Sequence, residues 1–284
     1  MMRWWVLCAP LAGCNLLFGA SPGDPPRDAL AVGDGPRPDA SCTLPTGVEE
    51  VLLPGSWFVA DRATQRAVMF DDDVRETVGD VDTHLPSAYM KILEPKPMGV
   101  KNYDAPRLAP GGAELFVILE TVNDTRVLAR AERTGVDWSA PAPVELVDDT
   151  GAQILDLELT TTSPPTTSTP RRMMVSRTLT TITEFQEDAP SRWKQLKTYT
   201  AAELGTATAD GGYLTPDGLQ LVFAGDSVIR IATRQRLEER FSGSQLLFTP
   251  TAPVTTRHGA YYTVDCQRHL YYTSGLDIRH VVLP

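Results

Sequence analysis

Short apolar runs separated by polar turns dominate the pattern of hydrophobic and polar positions beyond residue 44. The runs are rich in β-branched and aromatic residues, and Pro, Gly and Asp lie between them. The clearest runs are residues 57–60, 115–119, 221–223 and 270–272. Residues 199–204 and 233–240 are the only segments that could be helical. Both are short and polar, so neither is expected to form more than a helical turn or two. The pattern therefore predicts an all-β fold.

A turn followed by a buried strand recurs along the chain. Residues 108–112 (Leu-Ala-Pro-Gly-Gly) precede one apolar run, and residues 214–218 (Leu-Thr-Pro-Asp-Gly) precede another. Residues 262–266 form a looser copy with one additional residue before its strand. The turn positions that define the motif are Pro110, Gly112, Pro216, Asp217, Gly218 and Asp265.

The spacing of these copies indicates a repeat of about 50 residues. The first two begin at Leu108 and Leu214, which are 106 positions apart, and the third begins 48 positions later. Further units are expected near Leu53 and near Leu159, where the Thr/Ser/Pro-rich residues 160–170 enlarge the turn. Repeats of this length with three or four strands are typical of propeller blades. We expect a β-propeller of five or six blades, with an evenly spaced β-sandwich as the alternative.

One copy of the motif carries a family resemblance. Residues 214–223 resemble the TolB-type β-propeller repeat, and residues 138–146 resemble the linker between such repeats in bacterial propeller lipoproteins. The other copies depart from the pattern, since Gly111 replaces the acidic turn residue and Cys266 replaces the glycine. The resemblance implies a closed ring of blades, and the departures leave the number of blades open.

The N-terminus has the layout of an export signal. One positive charge precedes the apolar residues 4–11, a run that is too short to span a bilayer as a helix. Residues 11–14 (Leu-Ala-Gly-Cys) resemble a bacterial lipobox, which implies that Cys14 is lipidated and becomes the first mature residue. Apolar residues resume at 16–20, so cleavage after Ala20 by an ordinary signal peptidase is the alternative.

These features divide the chain into three parts. We expect residues 1–13 to be a lipoprotein signal peptide, residues 14–44 to be a lipidated cysteine with a Pro/Asp/Gly-rich tether, and residues 45–284 to be the propeller domain. The tether has too little apolar surface to offset its ordering entropy, so we expect it to be flexible. In bacterial lipoproteins, which this leader resembles, an aspartate after the cysteine typically retains the protein at the inner membrane. Because Asn15 stands there instead, the resemblance implies an outer-membrane lipoprotein that faces the periplasm or the cell surface.

Two cysteines remain after Cys8 is assigned to the leader and Cys14 to the lipid. They are Cys42 and Cys266, and an oxidising compartment favours a disulfide between them. Two unrelated buried thiols are the alternative. Because the first and last segments of a propeller meet, this disulfide would close the ring, and the entropic model gives about 4 to 5 kcal/mol for so long a loop.

Charge and motifs exclude several function classes. The net charge of −10 argues against a nucleic-acid partner, since phosphates would be repelled. No Gly-x-Ser-x-Gly nucleophile elbow is present, and no cofactor is expected. No zinc-ligand spacing links the histidines, which are His84, His258, His269 and His280.

An acidic cluster is a weak candidate for calcium. Asp71, Asp72 and Asp73 follow an apolar run, and Asp80 and Asp82 lie nearby. Carboxylate oxygens are calcium ligands, but this spacing does not match an EF-hand. Such clusters in an acidic chain are more commonly solvated turns, and no metal is assigned.

The sequence therefore predicts an exported, lipid-anchored propeller that acts without catalysis, as a binding or scaffolding protein at the cell envelope. Its expected contacts are the membrane, through the N-terminal lipid, and an envelope protein or carbohydrate. The alternative is a propeller glycosidase or lyase that acts on envelope polysaccharide. That activity would require two carboxylates in the central channel about 5 to 10 Å apart.

Overall fold

Short strands make up the regular structure of the protein. The computed structural model describes residues 45–61, 64–78, 89–109, 111–147, 149, 156–160, 170–215, 217–252, 254, 261–264 and 267–284. In chain order the strands of these residues are β1 Glu49–Pro54, β2 Ser56–Asp61, β3 Arg66–Phe70, β4 Val74–Val78, β5 Met90–Lys91, β6 Val100–Leu108, β7 Glu114–Thr121, β8 Arg126–Thr134, β9 Asp137–Trp138, β10 Ala142–Pro143, β11 Glu145–Val147, β12 Asp156–Thr160, β13 Arg172–Thr178, β14 Thr181–Ala189, β15 Arg192–Thr200, β16 Asp210–Leu214, β17 Gln220–Gly225, β18 Val228–Thr233, β19 Gln245–Phe248, β20 Tyr261–Val264, β21 Arg268–Ser274 and β22 Asp277–Leu283.

The strands form five small sheets, which are the blades of a five-bladed β-propeller. From the inner strand outward, blade 1 is β2-β3-β4-β5, blade 2 is β6-β7-β8-β10, and blade 4 is β16-β17-β18-β19. Blade 3 is β12-β13-β14-β15 with β11 added in parallel at its outer edge, and β9 pairs with β8 in blade 2. Blade 5 is β20-β21-β22-β1, so its outer strand comes from the start of the domain.

The contribution of β1 to blade 5 closes the ring. Strand β1 pairs antiparallel with β22, from Glu49 opposite Val281 to Pro54 opposite Asp277. Leu53 of β1 is fully buried, whereas Val51 on the same strand is exposed. The first described strand is therefore bonded to the last, as ring closure requires.

The pairing gives the ring two faces. Each inner strand runs from what we call the upper face to the lower face, and the next strand returns. Turns between second and third strands therefore lie on the upper face: residues 71–73, 122–125, 179–180, 226–227 and 275–276. Turns between inner and second strands lie on the lower face, among them residues 109–113 and 215–219.

The structure confirms the all-β prediction and selects among its alternatives. Five blades are present rather than six, and the β-sandwich alternative is wrong. The repeat unit predicted at Leu53 starts at the wrong point of a blade. Pro54 and Gly55 connect blade 5 to blade 1, whereas the turn between the inner and second strands of blade 1 lies just before β3. Residues 199–204 and 233–240 contain strand ends and turns but no helix.

Apolar side chains between the blades form the core. Buried clusters join blade 1 to blades 2 and 3, blade 3 to blade 4, blade 4 to blade 5, and blade 5 to blade 1. Phe116 of blade 2, for example, meets Trp193 of blade 3 edge to face, with ring centroids 6.0 Å apart. Among the described residues, no helix is long and apolar enough to cross a membrane.

Candidate functional site

The repeat turn lies on the lower face and has a structural role. In blade 4, Asp217 accepts hydrogen bonds at Oδ1 from the Thr215 hydroxyl (2.6 Å) and from the Leu219 backbone N–H (2.9 Å). Gly112 and Gly218 occupy the last turn position in blades 2 and 4, and both have positive φ. Pro110, Pro216 and Asp265, which were also predicted for this motif, lie outside the described residues.

In blades 1 and 2 the turn is part of an ion-pair clamp. Glu76 of blade 1 is buried and accepts hydrogen bonds from Arg66 (3.2 Å) and from Arg133 of blade 2. Arg133 also donates from Nε to the Gly112 carbonyl (2.8 Å), and its guanidinium lies 4.1 Å from the centroid of the Trp138 ring. One arginine thus links the acid of one blade to the turn of the next.

The same clamp recurs between blades 3 and 4. Glu184 accepts hydrogen bonds from Arg172 (2.5 Å) and, at both oxygens, from Arg234 (2.8 and 3.0 Å). Arg234 donates from Nε to the Gly218 carbonyl (2.8 Å) and lies 4.5 Å from the centroid of the Phe241 ring. Arg66 and Arg172 are 106 positions apart, as are Gly112 and Gly218, so the sequence repeat corresponds to this clamp.

Blades 2 and 3 are joined by a related network. Arg171 of blade 3 donates two hydrogen bonds of 2.6 Å to Glu187 and a third to Glu114 of blade 2. Glu114 also pairs with Arg130 of its own blade. Burial lowers the pKa of Arg171, but the hydrogen bonds to the two glutamates outweigh it, so the pKa is raised. We call the contact between two neighbouring blades a seam. The seams between blades 1 and 2, 2 and 3, and 3 and 4 therefore each contain a glutamate of one blade paired with an arginine of the next.

These buried acids are unsuited to act as proton donors. Burial raises the pKa of Glu184, but the hydrogen bonds and charge of Arg234, then those of Arg172, outweigh it and lower the pKa. Burial likewise raises the pKa of Glu49, and the hydrogen bonds from Tyr272 and Thr251 lower it below its usual range. A general acid at neutral pH needs a raised pKa. Both glutamates are thus structural anions.

Three inner strands carry acids whose contacts the structure shows. Asp61 accepts a hydrogen bond from the Gly111 backbone N–H (2.8 Å) of blade 2. Asp104 pairs with Arg126 of its own blade. Asp210 is buried and accepts a hydrogen bond from the Gly211 N–H (2.9 Å). Each acid is engaged by neighbouring groups of the ring.

The acidic cluster proposed for calcium lies in the upper-face turn of blade 1. Asp71 pairs with Arg75 (2.5 Å) and Asp73 pairs with Lys91, so two of its three carboxylates have cationic partners. Asp72 lies between them with a positive φ. Among the described residues, no group of three or more His, Cys, Asp and Glu is arranged to hold a metal ion.

Exposed aliphatic side chains lie at the tips of the upper-face turns in blades 2, 3 and 5. Val122, Leu179 and Leu276 occupy these tips, and Leu276 is 85% exposed. Met98 is also fully exposed and lies beside Val122, because the Val122 N–H donates to the carbonyl of the adjacent Gly99 (3.0 Å). We call Met98, Val122, Leu179 and Leu276 the upper rim. Sequence reasoning missed it, since each residue is a single apolar position within a polar turn.

Among the side chains whose burial is described, no aromatic ring is largely exposed, and Trp138 and Phe248 are partly exposed. The large fully buried side chains include Trp193, Tyr103, Tyr199, Tyr272, Phe116, Phe185, Phe223 and Phe241. Rings that lie open to solvent would offer flat stacking surfaces to a ligand. The described surface instead offers aliphatic tips.

Two predicted histidines lie together. His269 and His280 are buried in blade 5, and their nearly parallel rings have centroids 5.2 Å apart. No sequence signal links them, because register between β21 and β22 sets their contact. His84 and His258 lie outside the described residues, as do Cys14, Cys42 and Cys266, so the lipid and disulfide predictions stay predictions.

Comparisons with known proteins show similarity in fold. No protein-family model matches the chain. No curated protein matches it either. A thermostable family-43 glycoside hydrolase has a similar structure, with a TM-score of 0.56 and 8% identity over 84% of this chain and 90% of that chain.

Two further solved structures are similar. An α-L-arabinofuranosidase from Podospora anserina, in complex with cellotriose, gives a TM-score of 0.51 and 11% identity over 88% of this chain and 94% of that chain. TolB from Acinetobacter baumannii gives a TM-score of 0.39 and 12% identity over 80% of this chain and 54% of TolB. At such identities the likeness shows the fold alone.

Proposed function

We propose that the protein is an exported, lipid-anchored propeller that binds a protein partner at the cell envelope through its upper rim. The observation that carries the proposal is that four exposed apolar residues lie on the upper face, at or beside the turns of three different blades. Exposed apolar residues that are grouped on one face can mark a protein contact surface. The buried aromatic rings favour a protein over a carbohydrate as the partner.

The seams support a role in binding rather than catalysis. Glu76, Glu114 and Glu184 are used to join blades, and the acids described on the inner strands are engaged by neighbouring groups. A rigid ring of this kind holds its surface turns in fixed positions. Fixed turns reduce the conformational entropy that is lost on association.

Site-specific photo-crosslinking in the producing cells tests the proposed surface. A crosslinker at position 276 should give a discrete adduct, and adding Val122→Asp should abolish that adduct because a charge enters the contact. Val136, which is 88% exposed in a lower-face turn, provides the matched control position and the matched control substitution Val136→Asp. Equal adducts from positions 276 and 136, or insensitivity to Val122→Asp, would contradict the proposal.

The membrane anchor is tested separately. Replacing Cys14 with Ser should abolish lipid labelling and release the protein into the soluble periplasmic fraction. Unchanged membrane association of this variant would contradict the lipid anchor and leave the rim proposal intact.

The second candidate function is a propeller glycosidase. Two glycoside hydrolase structures share the fold, and inner strands of this chain carry Asp61, Asp104 and Asp210. If the ring is catalytic, Asp104→Asn and Asp210→Asn should each lower hydrolysis of envelope polysaccharide by at least about a hundredfold, the usual scale for a catalytic acid or base. Absence of hydrolysis by the unaltered protein, measured by release of reducing ends, removes this candidate.

A further inference from the structure

A chain of hydrogen bonds runs through blade 5 at the place where the ring closes. Nδ1 of His269 on β21 lies 3.0 Å from Nε2 of His280 on β22. Nδ1 of His280 in turn lies 2.7 Å from Oε1 of Glu50 on β1. Both imidazoles are buried, and their rings are nearly parallel, at 9°. A carboxylate and two imidazoles therefore form one connected chain across three strands.

This chain is coupled to the seam between blades 5 and 1. The Tyr271 ring stacks on His280 with centroids 4.6 Å apart, and it lies 4.8 Å from the ring of Phe58 on β2. Phe58 and Tyr271 belong to the apolar cluster that joins the two blades. Displacement of the His280 ring would therefore disturb the contact that closes the ring.

The geometry limits how many protons the pair can hold. An imidazolium has N–H groups at both nitrogens and no acceptor. The link between His269 and His280 needs one donor and one acceptor, so only one of the two rings can be an imidazolium while the link is intact. A second proton would place two N–H groups against each other at 3.0 Å.

A carboxylate and an apolar cluster lie beside the pair. Glu50 of β1 contacts Nδ1 of His280, and its carboxylate can balance one positive charge on the pair. Tyr271 faces the pair from β21 with a neutral phenol ring. The remaining described members of the cluster are Leu52, Leu53 and Ile278 of blade 5, and Phe58, Ala60, Ala67, Met69 and Tyr89 of blade 1.

We propose that the His269–His280 pair makes ring closure sensitive to pH, because the closed seam accepts one proton and a second proton opens the contact between blades 5 and 1. In the unfolded chain both imidazoles titrate near pH 6.5. The unfolded state therefore binds one more proton than the folded state at acidic pH. Stability then falls as the pH falls, and the unfolding equilibrium constant rises by up to about tenfold per pH unit from this pair.

The test compares the full chain with the variant His269→Asn. The asparagine amide can donate a hydrogen bond to Nε2 of His280 and does not titrate. Urea unfolding is measured at several pH values from about 7.5 to about 5, which brackets the ordinary histidine range. Relative to the variant, the unaltered chain should show the additional increase in the unfolding constant, up to about tenfold per pH unit.

Two results would overturn the proposal. One is an identical pH dependence for the two proteins. The other is a native protein at about pH 5 in which nitrogen NMR shows both imidazoles fully protonated while the structure stays closed. The NMR measurement uses the unaltered chain, so it decides the matter even if His269→Asn fails to fold.

Discussion

Single residues at the lower face join the blades. Gly218 has a φ of +71°, and its carbonyl accepts the hydrogen bond from Arg234. A Cβ at this position would lie 2.6 Å from Cδ2 of Leu237, and one at Gly112 would lie 2.9 Å from Cδ of Arg66. The positive φ values favour glycine at both positions, and an added Cβ would also have to displace the side chain of Leu237 or Arg66.

The variant Gly218→Ala should lower the free energy of unfolding by about 2 to 3 kcal/mol, because it combines left-handed strain with displacement of Leu237. Gly135→Ala is the control, since Gly135 has a φ of +69° and a Cβ added there would meet no neighbouring atom within 4 Å. The control should lose only about 1 kcal/mol from strain. Chemical denaturation measures both, and equal losses would contradict the proposed close contact.

Glu184, the buried acid of the clamp between blades 3 and 4, should contribute more to the free energy of unfolding than a surface acid does. Glu184→Gln leaves Arg234 and Arg172 without their anion, so we expect a loss of about 3 to 5 kcal/mol in the free energy of unfolding. Glu145 pairs with Arg192 at 3.4 Å, and both side chains are exposed. Glu145→Gln should therefore cost less than about 1 kcal/mol. Comparable losses in denaturant titrations would argue against the clamp.

The same glutamate gives a pH dependence of known sign. The pKa of Glu184 is lower in the folded protein than the ordinary value of 4.5, so its ion pairs stabilise the fold above that pH. The contribution should be lost as the pH falls through the lowered folded pKa. Acid unfolding of Glu184→Gln should show a correspondingly smaller dependence on pH, measured by tryptophan fluorescence. An acid transition as steep as that of the unaltered chain would contradict this assignment.

The third strands of the first three blades carry a charged residue at the same position. Glu76, Arg130 and Glu184 each lie on a third strand, opposite the residue two places beyond the first residue of the second strand. The charge at this position is reversed in blade 2. In blade 4 the equivalent position is the apolar Ile231, so the alternation of charge covers the first three blades.

Strand β1 should contribute strongly to stability because it completes blade 5. Leu53→Ala removes a fully buried side chain, and we expect a loss of about 2 to 5 kcal/mol in the free energy of unfolding. Val51→Ala, on the same strand but exposed, should change stability by no more than about 0.5 kcal/mol. Thermal and urea unfolding compare the two variants. A small effect of Leu53→Ala would mean that the ring does not depend on this strand.

At the scale of the whole molecule, the ring is closed by strand pairing between its first and last described strands. The predicted Cys42–Cys266 disulfide would add a covalent closure near the same place. Mass analysis of the exported protein without reductant should find these two cysteines joined. Two free thiols would leave the β1–β22 pairing and the blade 5 seam as the closure.

The sequence by itself determined the all-β class, the period near 50 residues and the turn motif, because alternating polarity and turn chemistry are local properties. It also indicated an envelope address that awaits a test. Only the tertiary structure decided the number of blades, the phase of the unit at Leu53 and the role of Gly112 and Gly218. Those depend on which strands pair and which side chains meet between blades. The upper rim belongs to the same class, since its residues share a face only when the ring closes. The contact between His269 and His280 instead depends on the register of the β21–β22 hairpin.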